Sequence, residues 1–178
     1  MTPKSASPQF NLRTLFTLIA AVVAAVLATL AVLYATGQLA AATPNRQQMV
    51  HSMGAGVMPF DLDKTTHIFT MTPSGGVQQV VAKDPAATDQ IVLIQQHLQH
   101  EAQRFSAGDF GDPVALHGGD MPGLKELAAG AARITVTHTP LPNGAQLTYT
   151  TTDLQLITAL HQWFGAQLSD HGHDAIAR

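Results

Sequence analysis

The chain has 178 residues, with 9 Lys and Arg, 12 Asp and Glu, 9 His and no Cys. That length suits one domain plus an extra segment. The lack of cysteine excludes disulfides, thiolate metal sites, C-x-x-C-H haem attachment and a lipidated Cys anchor, so cysteine usage carries no redox signal.

Lys4 and Arg13 are the only charges before Arg46, which leaves 32 uncharged residues between Arg13 and Arg46. Within them, 15-LFTLIAAVVAAVLATLAVLYA-35 is almost wholly apolar. A bilayer core of about 30 Å needs about 20 such residues in a helix, whose backbone groups then pair internally as lipid demands. A transmembrane helix is predicted over residues 14–36, as an uncleaved anchor. The other reading is a signal peptide cleaved at 40-AAA-42, before Thr43; its apolar region would exceed the usual 7–15 residues. The tail 1–13 carries two bases and no acid, and the 20 residues after the span carry only Arg46. The positive-inside rule then predicts a cytoplasmic N-terminus and an extracytoplasmic remainder.

Residues 37–58 read as a linker and 59–178 as the extracytoplasmic domain. From Thr43 onward there are 7 Lys and Arg against 12 Asp and Glu, a net charge of −5 with His neutral. Nothing in this part forms a basic patch for nucleic acid. All nine histidines lie here, so its charge responds to mild acid.

The domain reads as two copies of one hairpin–helix unit. In the first, 65-TTHIFTM-71 and 77-VQQVVAK-83 flank the turn 73-PSGG-76. Asp84 and Pro85 suit an N-cap and first helical position. The helix that follows runs to about Ser106, with Ile91, Ile94, Leu98, Ala102 and Phe105 on one face, and Gly108 stops it. A short helix near 113–117 and another at about 122–129, ended by Gly130, connect the units. In the second, 132-ARITVTHT-139 and 145-AQLTYTT-151 flank 142-PNG-144. Asp153 then caps a helix over about 154–169, with Leu154, Ile157, His161, Phe164 and Leu168 on one stripe. The predicted fold is α+β: a two-layer sandwich with a four-stranded, mainly antiparallel sheet and helices on one face.

Three groups of residues are candidates for chemistry. On 97-HLQHEAQRF-105, His97 and Glu101 are i and i+4, and His97 and His100 are i and i+3, so each pair can reach one cation. The order is not the H-E-x-x-H of zinc proteases. The structural alternative is a solvated helix flank. His161 stands in an apolar stripe, where a buried imidazole needs partners for both ring nitrogens; a backbone carbonyl or a ligand role would each supply them. His117, His171 and His173 are expected in Gly-rich loops with nearby Asp, and His67 and His138 lie on strands. Taken singly, these five read as structural or solvent-facing. No G-x-S-x-G elbow, P-loop or G-x-G-x-x-G after a strand is present.

The segments 59-PFDLDKTTHIFT-70, 97-HLQHEAQRFSAGDFGDP-113, 117-HGGDMPGL-124, 142-PNGAQLTYTT-151 and 161-HQWFGAQLSDHG-172 resemble a group of small uncharacterised bacterial proteins, some of them labelled aspartate carbamoyltransferase. Transcarbamoylases have two α/β domains and a Ser-Thr-Arg-Thr type loop, and this chain has neither. The resemblance therefore implies a bacterial membrane or periplasmic setting and no mechanism.

Histidines and carboxylates without thiolates suit an N/O site for zinc, copper(II), nickel or iron, or haem with His ligation. Met53, Met58, Met71 and Met121 are thioether candidates for copper(I). The leading expectation is a membrane-anchored domain that binds a transition metal or haem for sensing, storage or delivery. His97, Glu101 and His161 form the core of that site, completed by His117 and His171. The alternative is a non-enzymatic accessory domain of a membrane complex, with a protein partner and structural histidines.

Overall fold

The computed structural model describes residues 12–35 and 45–178, in two compact units divided between Thr43 and Pro44. The tail 1–11 and the stretch 36–44, with its 40–42 cleavage motif, lie outside the described residues.

In the first unit, α1 is a helix over Leu12–Ala35. Its segment Leu15–Val32 is long and apolar enough to cross a membrane, and all its side chains are exposed within the unit. The polar Thr29 hydroxyl donates to the Ala25 carbonyl at 2.9 Å, so it is satisfied within the helix.

The second unit begins with α2, Arg46–Gly54. Sequence alone makes residues 45–58 a linker; instead α2 is folded into the domain and buries Val50. Asn45 and Gln48 form a capping box that satisfies its first turn. Then follow β1 (Thr65–Thr72), β2 (Gly75–Ala82), α3 (Thr88–Ser106), α4 (Gly111–His117), α5 (Leu124–Gly130), β3 (Thr135–Leu141), β4 (Gly144–Thr150), α6 (Leu154–His171) and β5 (Ala175–Ala177).

The sheet order is β3-β4-β2-β1-β5. Both hairpins turn through two residues that begin with Pro, and β2 pairs antiparallel with β4 in the middle. The hairpin–helix repetition is therefore visible as an approximate two-fold arrangement about the β2–β4 seam. The sheet has five strands rather than the expected four. β5 pairs parallel with β1 through three residues, too few to show a sequence period.

Register places Thr65, His67 and Phe69 of β1, Val80 and Gln78 of β2, Leu147 and Tyr149 of β4, and His138 of β3 on one face. The helices cover this face and build the core on it. α3 buries Ile91, Ile94, Leu98, Ala102 and Phe105, as its spacing predicts. It starts at Thr88 rather than Asp84, because the Asp84 carboxylate closes a turn onto the Ala86 amide.

α6 is rotated from its expected stripe. It buries Leu156, Ala159, Leu160, Trp163, Phe164, Gln167, Asp170 and His171, while Leu154 is 77 % exposed. Asp153 caps it by accepting from the Gln155 and Leu156 amides. α5 starts from Gly123, at φ +80°, where a Cβ would stand 2.0 Å from the Ala159 carbonyl oxygen of α6; only glycine fits there.

Candidate functional site: a histidine-lined cavity

Between the sheet and the ends of α3, α4 and α6 lies a cavity of about 50 Å³, lined by His67, His97, Glu101, Asp112, His117 and His171 among others. Such a volume holds a few waters or an ion.

α3 supplies one wall. His97 and Glu101 share a face at i and i+4, while His100 points to solvent. α4 brings Asp112 against them. One ligand atom from each of His97, Glu101 and Asp112 lies within 4.8 Å of the others. Arg104 braces the carboxylates from the next turn of α3, at 2.5 Å from Asp112, 3.3 Å from Glu101 and 2.8 Å from Asp109. Burial, with Asp112 beside it, pushes the Glu101 carboxyl up to about 8. Burial would also raise Asp112, but hydrogen bonds from Arg104 and Glu101 outweigh it and hold that carboxyl below the usual range. At neutral pH Glu101 therefore keeps its proton, because it is buried and has the half-buried Asp112 carboxylate beside it.

The other wall is imidazole. The His67 and His171 rings stack with centroids 4.8 Å apart, and His117 meets His171 edge-on at 5.0 Å. Burial holds all four cavity histidines below their ordinary value, His171 at about 4. They are neutral at pH 7 and carry lone pairs. His117 Nδ1 lies 3.0 Å from Asp170 Oδ2, and since a carboxylate only accepts, Nδ1 donates and Nε2 keeps the lone pair. Arg46 of α2 grips Asp170 with two bonds of 2.6 Å and donates to the His117 carbonyl. This carboxylate–histidine pairing is the arrangement that orients metal-binding imidazoles.

The lining leaves polar atoms unmatched. His67 Nδ1, His171 Nδ1, Trp163 Nε1 and Gln167 Oε1 are buried without a hydrogen-bond partner among the described residues. Each belongs to a residue lining the cavity. Buried polar atoms are normally paired, so these four are each able to take a polar partner.

Of the expected ligands, His97, Glu101, His117 and His171 line the cavity, and His161 does not. His161 Nε2 lies 2.9 Å from the Gly75 carbonyl and 3.1 Å from that of Thr72. Carbonyls only accept, so the ring donates to both and fastens α6 to the β1–β2 turn. Of the methionines, Met58 lines the cavity and Met121 is buried elsewhere, while Met53 and Met71 are exposed. His171 ends α6 rather than lying in a loop.

His67 and Asp112 are additions that reading the residues singly misses. The alternation Thr65, His67, Phe69 points to the buried face of β1, and Asp112 reads in sequence only as a helix start. No family model, curated protein or solved structure matches the chain.

Proposed function

We propose that the folded domain binds a divalent transition-metal ion at His97, Glu101 and Asp112, in a chain that α1 anchors in a membrane. The observation that carries this reading is the convergence of these three ligand atoms from two helices on the wall of a cavity whose largely apolar lining also holds His67, His117 and His171. Three N/O ligands with open positions suit zinc, copper(II), nickel or iron(II). His67, His117 and His171 line the same cavity and are available for a further ligand or for an ion in transit. A cavity of about 50 Å³ favours a bare ion over haem. The charge asymmetry around α1 supports an extracytoplasmic domain. Sensing, storage or delivery of the ion are the roles this arrangement serves.

The test is zinc titration of the full chain in detergent micelles against a competing chromophoric chelator. His97→Ala is expected to weaken zinc at this site by at least about 100-fold, more than the loss of an outer-shell partner does. His161→Ala is the control: it is expected to lower the melting temperature and leave zinc affinity unchanged. Equal zinc affinity in wild type and His97→Ala would overturn the reading and favour the accessory-domain alternative, with structural histidines and a protein partner.

A further inference from the structure

A second group of imidazoles lies at the α2 side of the domain, and none of its members lines the cavity. His51 of α2, with His173 and Asp174 of the 3-10 turn Gly172–Asp174, offers three ligand atoms all within 4.8 Å of one another. His51 Nδ1 lies 2.6 Å from Asp174 Oδ2, and His51 Nε2 lies 3.7 Å from Asp63 Oδ1. The His51 and His173 rings stack with centroids 6.1 Å apart.

Asp174 is the telling residue. It is 1 % exposed, yet its Oδ1 accepts no hydrogen bond among the described residues. Its near neighbour is His173 Nε2 at 3.2 Å, without hydrogen-bond geometry. A buried carboxylate oxygen left without a donor is destabilising unless something positive meets it. The way in is open, because His173 is 78 % exposed and an open cleft is lined by His51, Asp63 and His173. Two imidazoles and carboxylates without a thiolate select borderline ions such as zinc or copper(II), whereas calcium and magnesium take all-oxygen shells.

We infer that His51, His173 and Asp174 form a second, surface-accessible site for a borderline divalent cation, with Asp63 as the adjoining carboxylate. The site joins residues 123 positions apart in sequence. It would clamp α2, the first described element of the chain after α1, to the C-terminal turn. Loading therefore stiffens the segment that follows the anchor, and it does so independently of the cavity ion.

The experiment uses the full chain in detergent micelles, with zinc as the probe. Calorimetric titration gives the stoichiometry, and hydrogen exchange reports on the α2 amides. His173 contributes only an exposed ring, so its removal leaves the fold intact. Wild type is expected to take two zinc ions, His97→Ala one, and the double variant His97→Ala/His173→Ala none. Zinc is expected to slow exchange of the α2 amides in His97→Ala and to leave them unchanged in the double variant. Zinc binding by the double variant equal to that of His97→Ala, or no zinc binding by His97→Ala, would overturn the inference. One ion in both wild type and His97→Ala, lost in the double variant, would uphold this site and sink the cavity site instead.

Discussion

Truncating Trp163 to alanine is expected to destabilise the domain by about 3–5 kcal/mol, the range for a fully buried large aromatic. Trp163 is 1 % exposed. Its indole stands edge-on to Phe105 at 5.8 Å, Phe110 at 5.6 Å and Tyr149 at 6.0 Å, and so joins α6 to α3, to the residue preceding α4 and to β4. Alanine leaves a void in all of these contacts, and the surrounding elements are tied together too tightly to collapse into it. Trp163→Phe is the informative companion. It removes an indole N–H that has no acceptor and keeps an aromatic ring, so it is expected to lose less than half as much. Urea unfolding of the full chain in micelles, at constant slope, reads both. A Trp163→Ala midpoint equal to that of wild type would mean that the core does not hinge on this residue.

Glu101→Gln is expected to flatten the pH dependence of stability in the metal-free protein. The folded chain keeps a proton on Glu101 up to about pH 8, while the unfolded chain releases it near the ordinary carboxylate value. Over that interval the folded state holds more protons, so this contribution is fully present in acid and is lost as pH rises through about 8. Its size is on the order of a few kcal/mol, since each tenfold change in proton affinity is worth about 1.4 kcal/mol. Glutamine imitates the neutral acid at every pH. The variant should therefore match wild type near pH 5 and melt at a higher temperature than wild type at pH 9.

The cavity histidines work in the opposite sense. Burial lowers them, so their contribution is present above the ordinary imidazole value and is lost as pH falls, for His171 through about 4. The two ranges overlap between the ordinary carboxylate and imidazole values, and the variant isolates the first effect because it leaves the histidines in place. Glu101 also couples to metal: the ion must displace its proton, so wild-type zinc affinity should rise with pH up to about 8 with proton release. In the variant that release should vanish. A Glu101→Gln melting profile parallel to that of wild type from pH 5 to 9 would show that Glu101 does not carry the proton.

The elements legible in the sequence are those whose signals are local. 73-PSGG-76 and 142-PNG-144 mark two-residue hairpins, and both form. α3 shows its buried face as a clean helical period, and α1 shows as a long, almost wholly apolar run. α2 escapes a reading by period because RQQMVHSMG buries only Val50 and Gly54 and is held by long-range bonds, above all Arg46 to Asp170. Its local sign is the capping-box spacing of Asn45 and Gln48. The face of α6 is misleading because Leu154 and Ile157 extend a second apolar stripe onto a helix that turns its Trp163 face inward.

The same division governs the site. His97 and Glu101 are legible as an i, i+4 pair on one helix. Asp112 meets them from another helix and His67 lines the same cavity from β1, placements that only the tertiary fold sets. His161 is legible as a histidine needing a partner, but that partner is the backbone of a turn more than eighty residues away.

The most direct test of the central claim is an anomalous difference map from crystals of the full chain grown with zinc, recorded at the zinc edge. A peak is expected between His97, Glu101 and Asp112. A fully diffracting crystal with no anomalous density among those three residues would contradict it.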